Sequence, residues 1–95
     1  MREISDEKLS KYLSLTEEAL KRVKIKVSKN SKEHRIAEDF LDMATRYYKD
    51  AKHYKEKGDF VTAFAAVNYA HAWLDAGARA EFFDVDKESG LFTVD

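Results

Sequence analysis

The sequence contains no cysteine and no proline, and it has only three glycines. Without cysteine the chain has no disulfide, no thiol nucleophile and no thiolate ligand for zinc. Because proline and glycine are the residues that most readily break helices, their scarcity favours long helices. The sequence also lacks an apolar run of the roughly 18 residues that a membrane-spanning helix needs, and residues 1–6 lack the apolar core of a signal peptide. We therefore expect a cytoplasmic protein that does not bind membranes.

An excess of either charge is also absent, since 17 Lys and Arg face 18 Asp and Glu for a net charge of −1. This balance removes the general electrostatic argument for a nucleic-acid-binding protein, so only a local cluster of charge can support one. What the chain does have is 44% apolar and 37% charged residues in a length of 95. That is enough apolar side chain for a folded core, and the length predicts a single domain over residues 1–95.

Hydrophobic periodicity predicts two amphipathic helices in the first part of the chain. In the first, residues 5–27, apolar side chains recur every three or four positions, and Ser5 is a suitable N-cap. Cap and turn residues without a hydrophobe follow it, and they predict a short loop before the second helix. The second, residues 31–57, again carries its apolar side chains in one sector.

Gly58 and Asp59 form the strongest local signal in the chain. Glycine commonly follows the end of a helix, and aspartate is a preferred N-cap, so this pair predicts a tight reversal into a third helix over residues 60–82. The predicted fold class is therefore all-α. Its architecture is a three-helix, up-and-down antiparallel bundle with a short C-terminal tail that packs on helix three.

The third predicted helix differs from the first two, because about three-quarters of its circumference is apolar or small. This is more surface than two neighbouring helices normally bury. We therefore expect the remaining apolar surface of this helix to be covered by the tail, by a second copy of the chain, or by another protein. The apolar residues of the tail are Phe83, Val85, Leu91, Phe92 and Val94.

One flank of this helix is the candidate interaction surface. Its aromatic residues are of the type that anchors interfaces, and its small residues permit close approach of another helix. The surface consists of Tyr69, Trp73, Ala66, Ala70 and Gly77. The same residues would equally serve as an internal core, and the sequence leaves both interpretations open.

A polar stripe on the same helix consists of His71, Asp75 and Arg79, which lie one turn apart. One interpretation is a charged site in which Asp75 interacts with the imidazole and Arg79 binds an anion. The other is a solvent-facing ladder of ion pairs that keeps the helix soluble, worth only a few tenths of a kcal/mol per pair. On either interpretation, we expect this stripe to be the exposed face of helix three.

A basic patch lies in residues 21–35, where seven Lys and Arg face one Glu. Such a patch contacts phosphates in many proteins, and this supports nucleic-acid binding as an alternative function. Lysines at the end of a helix also interact favourably with its dipole, and no aromatic residue is interleaved here for base stacking. The patch consists of Lys21, Arg22, Lys24, Lys26, Lys29, Lys32 and Arg35.

Arg46 and His53 form the one pair that suggests catalysis, because their spacing resembles the Arg-x4-6-His motif of HEPN-type ribonucleases. In that chemistry the histidine moves protons and the arginine stabilises the charge of the transition state. The chain departs from the motif at Tyr47, and Asp42 and Asp50 are placed to neutralise Arg46. The histidines show no metal-ligand spacing and no glycine-rich phosphate loop is present, so the sequence indicates neither a metal nor a cofactor.

Residues 47–85 resemble the archaeal domain-of-unknown-function family 357. The resemblance lies in Lys57-Gly58-Asp59, in the run YAHAWLDAGAR of residues 69–79, and in Phe83 close behind it. It implies a small archaeal three-helix bundle and assigns no activity. From the residues themselves we expect a non-enzymatic module that binds another protein or a second copy of itself, with nucleic-acid binding and HEPN-like RNA cleavage as alternatives.

Overall fold

The three predicted helices are present in the structure, a computed structural model that describes residues 3–93. They are α1 (Asp6–Arg22), α2 (Lys32–Glu56) and α3 (Phe60–Arg79). Two strands of two residues each, β1 (Lys24–Ile25) and β2 (Phe83–Asp84), follow α1 and α3. The prediction of an all-α, three-helix bundle is confirmed, with this short strand pair as an addition.

Each helix begins at a side chain that caps its first turn. Ser5 Oγ accepts from the Lys8 amide at 3.1 Å, and Ser31 Oγ accepts from the His34 amide at 3.1 Å. Asp59 caps α3 in the same way, with Oδ1 at 3.1 Å from the Thr62 amide. Before it, Gly58 has a φ of +82°, the left-handed conformation that glycine adopts without a steric penalty. The predicted reversal between the second and third helices therefore forms as expected.

Helix α1 ends at Arg22, five residues before the predicted end at residue 27. Val23 is extended, and β1 pairs antiparallel with β2 so that Lys24 lies opposite Asp84 and Ile25 opposite Phe83. From residue 23 to 27, half-buried apolar residues alternate with exposed lysines. This period of two is the pattern of a half-buried strand, and it was interpreted as the end of the helix.

Helix α3 ends at Arg79, three residues before the predicted end at residue 82. Glu81 has a φ of 66°, which breaks the helix. The Phe82 amide donates to Gly77 O and the Glu81 amide to Ala78 O, at 2.9 and 3.1 Å. This Schellman pattern satisfies the last carbonyls of the helix and turns the chain toward β1.

Small residues form the seam between α2 and α3. Three on each helix are buried, and along each helix they are spaced seven residues apart. The small residues nearest the Gly58 turn lie at similar distances from it on the two helices. In an antiparallel hairpin, the two sets therefore lie opposite each other along the helix axes. Side chains of this size permit close helix approach. The seam consists of Ala37, Ala44 and Ala51 on α2 and Ala63, Ala70 and Gly77 on α3.

Helix α1 and the tail (residues 83–93) complete the core. Leu9 and Ala19 of α1 are fully buried, and in the tail Phe83, Leu91 and Phe92 are at most 8% exposed. The tail therefore covers part of α3, as predicted. Val94 lies outside the described residues.

The rest of the chain covers only part of the apolar circumference of α3. One face is buried, whereas Val61, Ala65, Ala72 and Ala76 are exposed. Alanines on a solvent-facing helix surface cost little because they carry little apolar area and have the best helix propensity.

Gly77 supplies a test of the tail packing. A Cβ built there would lie within 2.9 Å of three ring carbons of Phe83. We expect Gly77→Ala to lower the free energy of unfolding by about 1–3 kcal/mol through overpacking, which outweighs a gain of roughly 1 kcal/mol in helix propensity. Urea denaturation followed by circular dichroism measures the change.

Phe83→Leu provides the control, because it shortens the side chain that the new methyl group would contact. The double variant should lose less stability than the sum of the two single variants. An increase in stability for Gly77→Ala alone would contradict the packing described here.

Candidate functional site

Five aromatic side chains form a continuous row across α2, α3 and the segment that follows α3. Tyr47 and Tyr69 meet at a ring centroid distance of 4.5 Å, and Tyr69 and Trp73 at 6.2 Å. Phe40 contacts Trp73 at 5.0 Å and Phe82 at 5.5 Å. All four contacts are edge-to-face, the arrangement that the ring quadrupoles favour. We call these five residues the aromatic row.

The aromatic row lies on the side of the α2–α3 hairpin that faces away from α1. The flank of α3 that faces α1 is marked by Phe64, whose ring contacts Tyr12, and by His71, whose Nδ1 lies 2.9 Å from Thr16 Oγ1. At about 100° of rotation per residue, Tyr69 falls on the opposite flank. No residue of α1 takes part in the row.

One end of the row is open to solvent. Within residues 3–93, the exposed large hydrophobic residues are Tyr54, Val61 and Tyr69, at 37%, 52% and 49%. Tyr54 and Tyr69 line an open groove of about 530 Å³ between α2 and α3. We call this space the outer groove; its other lining residues are Tyr47, Asp50, Thr62, Ala65 and Ala66.

The structure separates the five residues of the predicted interaction surface into two groups. Tyr69 and Trp73 belong to the aromatic row, and Ala66 lines the outer groove. Ala70 and Gly77 are buried in the seam, with Gly77 against Phe83, so they are inaccessible to a partner. Sequence reasoning also missed Tyr47 and Tyr54 of α2, because the relative rotation of the two helices decides which residues share a face.

Trp73 packs against the hydrophobic core and against two rings of the aromatic row. Its Nε1 is buried and has no hydrogen-bond partner within the described part of the chain. An unsatisfied buried donor costs about 1–3 kcal/mol. Phe40 and Tyr69 contact its ring on the row, and this packing fixes the position of the indole.

The polar stripe contacts other parts of the chain, which neither interpretation of the sequence included. His71 Nε2 lies 2.5 Å from Leu91 O in the tail. Because a carbonyl only accepts, Nε2 carries the hydrogen of this contact, and Nδ1 on the other side of the ring forms a hydrogen bond with the Thr16 hydroxyl at 2.9 Å. His71 therefore connects α1, α3 and the tail.

Asp75 extends this connection, since its Oδ1 accepts from the Thr93 amide at 2.9 Å and lies 3.8 Å from His71 Nε2. The side chains of His71 and Asp75 are only 22% and 28% exposed. The expectation that the stripe is the exposed face of helix three was therefore wrong, because the tail folds over it. Arg79 alone of the three is exposed, at the end of α3.

All seven residues of the basic patch are exposed, and they extend from the end of α1 to the first turns of α2. Two of them form ion pairs. Arg22 Nε lies 2.7 Å from Glu18, and Lys26 Nζ lies 2.9 Å from Glu81. The hydrogen bond between the second pair raises the pKa of Lys26 and lowers the pKa of Glu81.

Arg46 and His53 are exposed on α2, each with a neighbour of its own. Arg46 Nε donates to Asp42 Oδ2 at 2.9 Å, and the His53 ring contacts that of Tyr54 at 5.6 Å. Over residues 3–93, no three His, Asp or Glu side chains are grouped so that they could hold a metal ion.

A family model with the description "Protein of unknown function (DUF357)" matches residues 11–83. The match covers the whole aromatic row and reaches into α1, beyond the C-terminal stretch that carried the resemblance. No curated protein and no solved structure matches the chain. No helix in the described range is long and apolar enough to cross a membrane.

The contacts of Asp75 predict how the tail is held. Asp75→Ala removes the acceptor of the Thr93 amide, so hydrogen exchange of that amide should accelerate about fivefold, which corresponds to a net hydrogen bond of about 1 kcal/mol. NMR-detected exchange on the full chain measures the rate.

Asp75→Asn is the matched control, because its amide oxygen still accepts from Thr93 and exchange should stay closer to that of the parent chain. Equal rates in Asp75→Ala and the parent chain would show that this contact does not hold the tail.

Proposed function

The chain belongs to the DUF357 family of unknown function, and we propose that it is a non-catalytic protein-interaction module whose binding surface is the aromatic row and the outer groove. The observation that carries this proposal is the concentration of exposed large apolar residues at one place. Two of the three such residues within the described range, Tyr54 and Tyr69, line the same groove.

The composition of this surface supports the proposal. Tyrosine and tryptophan are enriched among the residues that dominate binding energy at protein interfaces. Tyrosine combines a large apolar area with a polar end that tolerates water in the unbound state. Three tyrosines and Trp73 occur together here.

The rigidity of the surface also supports binding. The row and the groove are formed by residues on two helices that share a seam of small side chains, so little main-chain order is gained on binding. Preorganisation of this kind lowers the entropic cost of association. The edge-to-face contact with the half-buried Tyr47 restricts the exposed Tyr69 ring further.

The geometry gives less support to the alternative functions, nucleic-acid binding and RNA cleavage. In the basic patch, Arg22 and Lys26 already pair with carboxylates of the same chain. Arg46 is paired in the same way with Asp42. We therefore place the function on the aromatic side of the hairpin.

A charge on this surface should abolish binding. We expect Tyr69→Lys to weaken retention of the proteins that the immobilised chain captures from a lysate of its own source, a second copy included, by at least about tenfold, since truncation of an interface hot spot typically costs 2 kcal/mol or more. Quantitative mass spectrometry of the captured proteins measures the loss.

Asn68→Lys is the matched control, because it places the same charge one residue earlier on α3. Asn68 lines a different groove, on the side of α3 that faces α1 and the tail. The control variant should bind like the parent chain. Urea denaturation of both variants establishes that they are folded. Capture that is unchanged in Tyr69→Lys would overturn the proposal.

A further inference from the structure

Four charged residues of α2 follow the aromatic row along its solvent side. They are exposed, and they occupy positions i, i+4, i+11 and i+15, which places them on one narrow stripe of the helix. In chain order the charges of these four alternate in sign. Asp42, seven residues after Arg35, lies at the edge of the same stripe and is paired within the helix with Arg46, Nε to Oδ2 at 2.9 Å. The stripe consists of Arg35, Asp39, Arg46 and Asp50.

A second copy of this helix that runs in the opposite direction presents the opposite charge to each of the four residues. The four positions are symmetric about a point between Asp42 and Met43. If a second α2 runs antiparallel about that point, Arg35 faces Asp50 and Asp39 faces Arg46, and each pair occurs twice. A parallel second helix in the same register would place like charges together, which is unfavourable.

From this we infer that the partner of the aromatic row is a second copy of this chain, with the two α2 helices antiparallel and Arg35 of each copy paired with Asp50 of the other. The inference rests on the proposed function, because it uses the same surface and names what binds there. It assigns the association energy to the aromatic and apolar side chains and the orientation to the charges.

The apolar side chains of α2 fit such a pairing. Ile36, Phe40, Met43 and Tyr47 are half-buried and spaced four, three and four residues apart, the repeat of a coiled-coil seam. When the two helices are antiparallel about the point between Asp42 and Met43, the Met43 side chains of the two copies meet at the centre. Phe40 of each copy then lies near Tyr47 of the other copy. Asp50 interrupts the repeat, and Arg35 of the other copy is the residue that neutralises it.

The outer groove also receives a side chain in this arrangement. Asp50 is part of its lining, so Ile36, which follows Arg35, is brought to the groove of the other copy. Within residues 3–93, Arg35, Asp39 and Asp50 form no ion pair, whereas Arg46 is paired with Asp42 of its own helix. The Arg35–Asp50 contacts therefore carry the orientation, because both of their members are unpaired within that range of the single chain. The outermost positions, Lys32 and His53, fall opposite each other and add no attractive pair.

Charge reversal tests the inference on the purified full-length chain. Analytical ultracentrifugation over a range of concentrations should show a dimer for the parent chain. Arg35→Asp and Asp50→Arg each turn two attractive contacts into repulsive ones, so each should raise the dimer dissociation constant about 10- to 30-fold. Lys11→Asp makes the same charge change on an exposed position of α1 and should leave the constant unchanged.

Rescue distinguishes this register from a general effect of charge. An equimolar mixture of the Arg35→Asp and Asp50→Arg chains should form a mixed dimer with an affinity near that of the parent chain, as should the double variant with itself. Residues 35 and 50 are four turns apart on one helix, so no contact within a monomer explains such rescue.

Three results would overturn the inference: a parent chain that stays monomeric, reversals that act no more strongly than Lys11→Asp, or variants that fail to rescue each other. If the chain is monomeric but Tyr69→Lys still abolishes capture of a different protein, the inference of a second copy as the partner fails. The proposed function then stands. If Tyr69→Lys affects no association of any kind, the proposed function fails as well.

Discussion

The close contact between α2 and α3 is the constraint that determines the position of every large side chain in this bundle. Its seam contains only alanine and glycine, so the two helices approach closely, and the Phe83 ring of the tail packs against Gly77 at one end of it. The aromatic residues of both helices must therefore lie beside the seam. They form two flanks, one toward α1 and one away from it.

The two flanks differ in what covers them. On one, α1 and the tail pack over α3, and the His71 imidazole connects all three through Thr16 and Leu91. The tail supplies hydrogen-bond partners to His71 and Asp75, which explains why two polar residues occur beneath it. On the other flank the rings of the aromatic row cover one another only in part, and Tyr69 remains half exposed. The same helix thus has a flank completed by its own chain and a flank suited to a partner.

Local signals in the sequence predicted the helices and their beginnings, because a cap depends on residues three positions apart, as with Ser5 and Asp59. The strand pair was missed because its partners, Ile25 and Phe83, are distant in the chain. The role of His71 was missed for the same reason, since its acceptor at Leu91 lies on the tail. The sequence analysis recognised the aromatic row only on α3. Tyr47 can be added only when the register of α2 against α3 is known. The matching seven-residue spacing of the small residues on the two helices would have supplied that register.

Specificity at the exposed flank must come from α2 rather than α3. Between Phe60 and Leu74, α3 carries no Lys, Arg, Asp or Glu, so the part of it that reaches the surface offers area without charge. Apolar contact of this kind favours association but selects neither partner nor orientation, whereas charges beside an apolar surface select both. On α2 the alternation from Arg35 to Asp50 favours one orientation of one sequence, its own reversed. In the dimer that we propose, α3 therefore supplies apolar area and α2 supplies orientation.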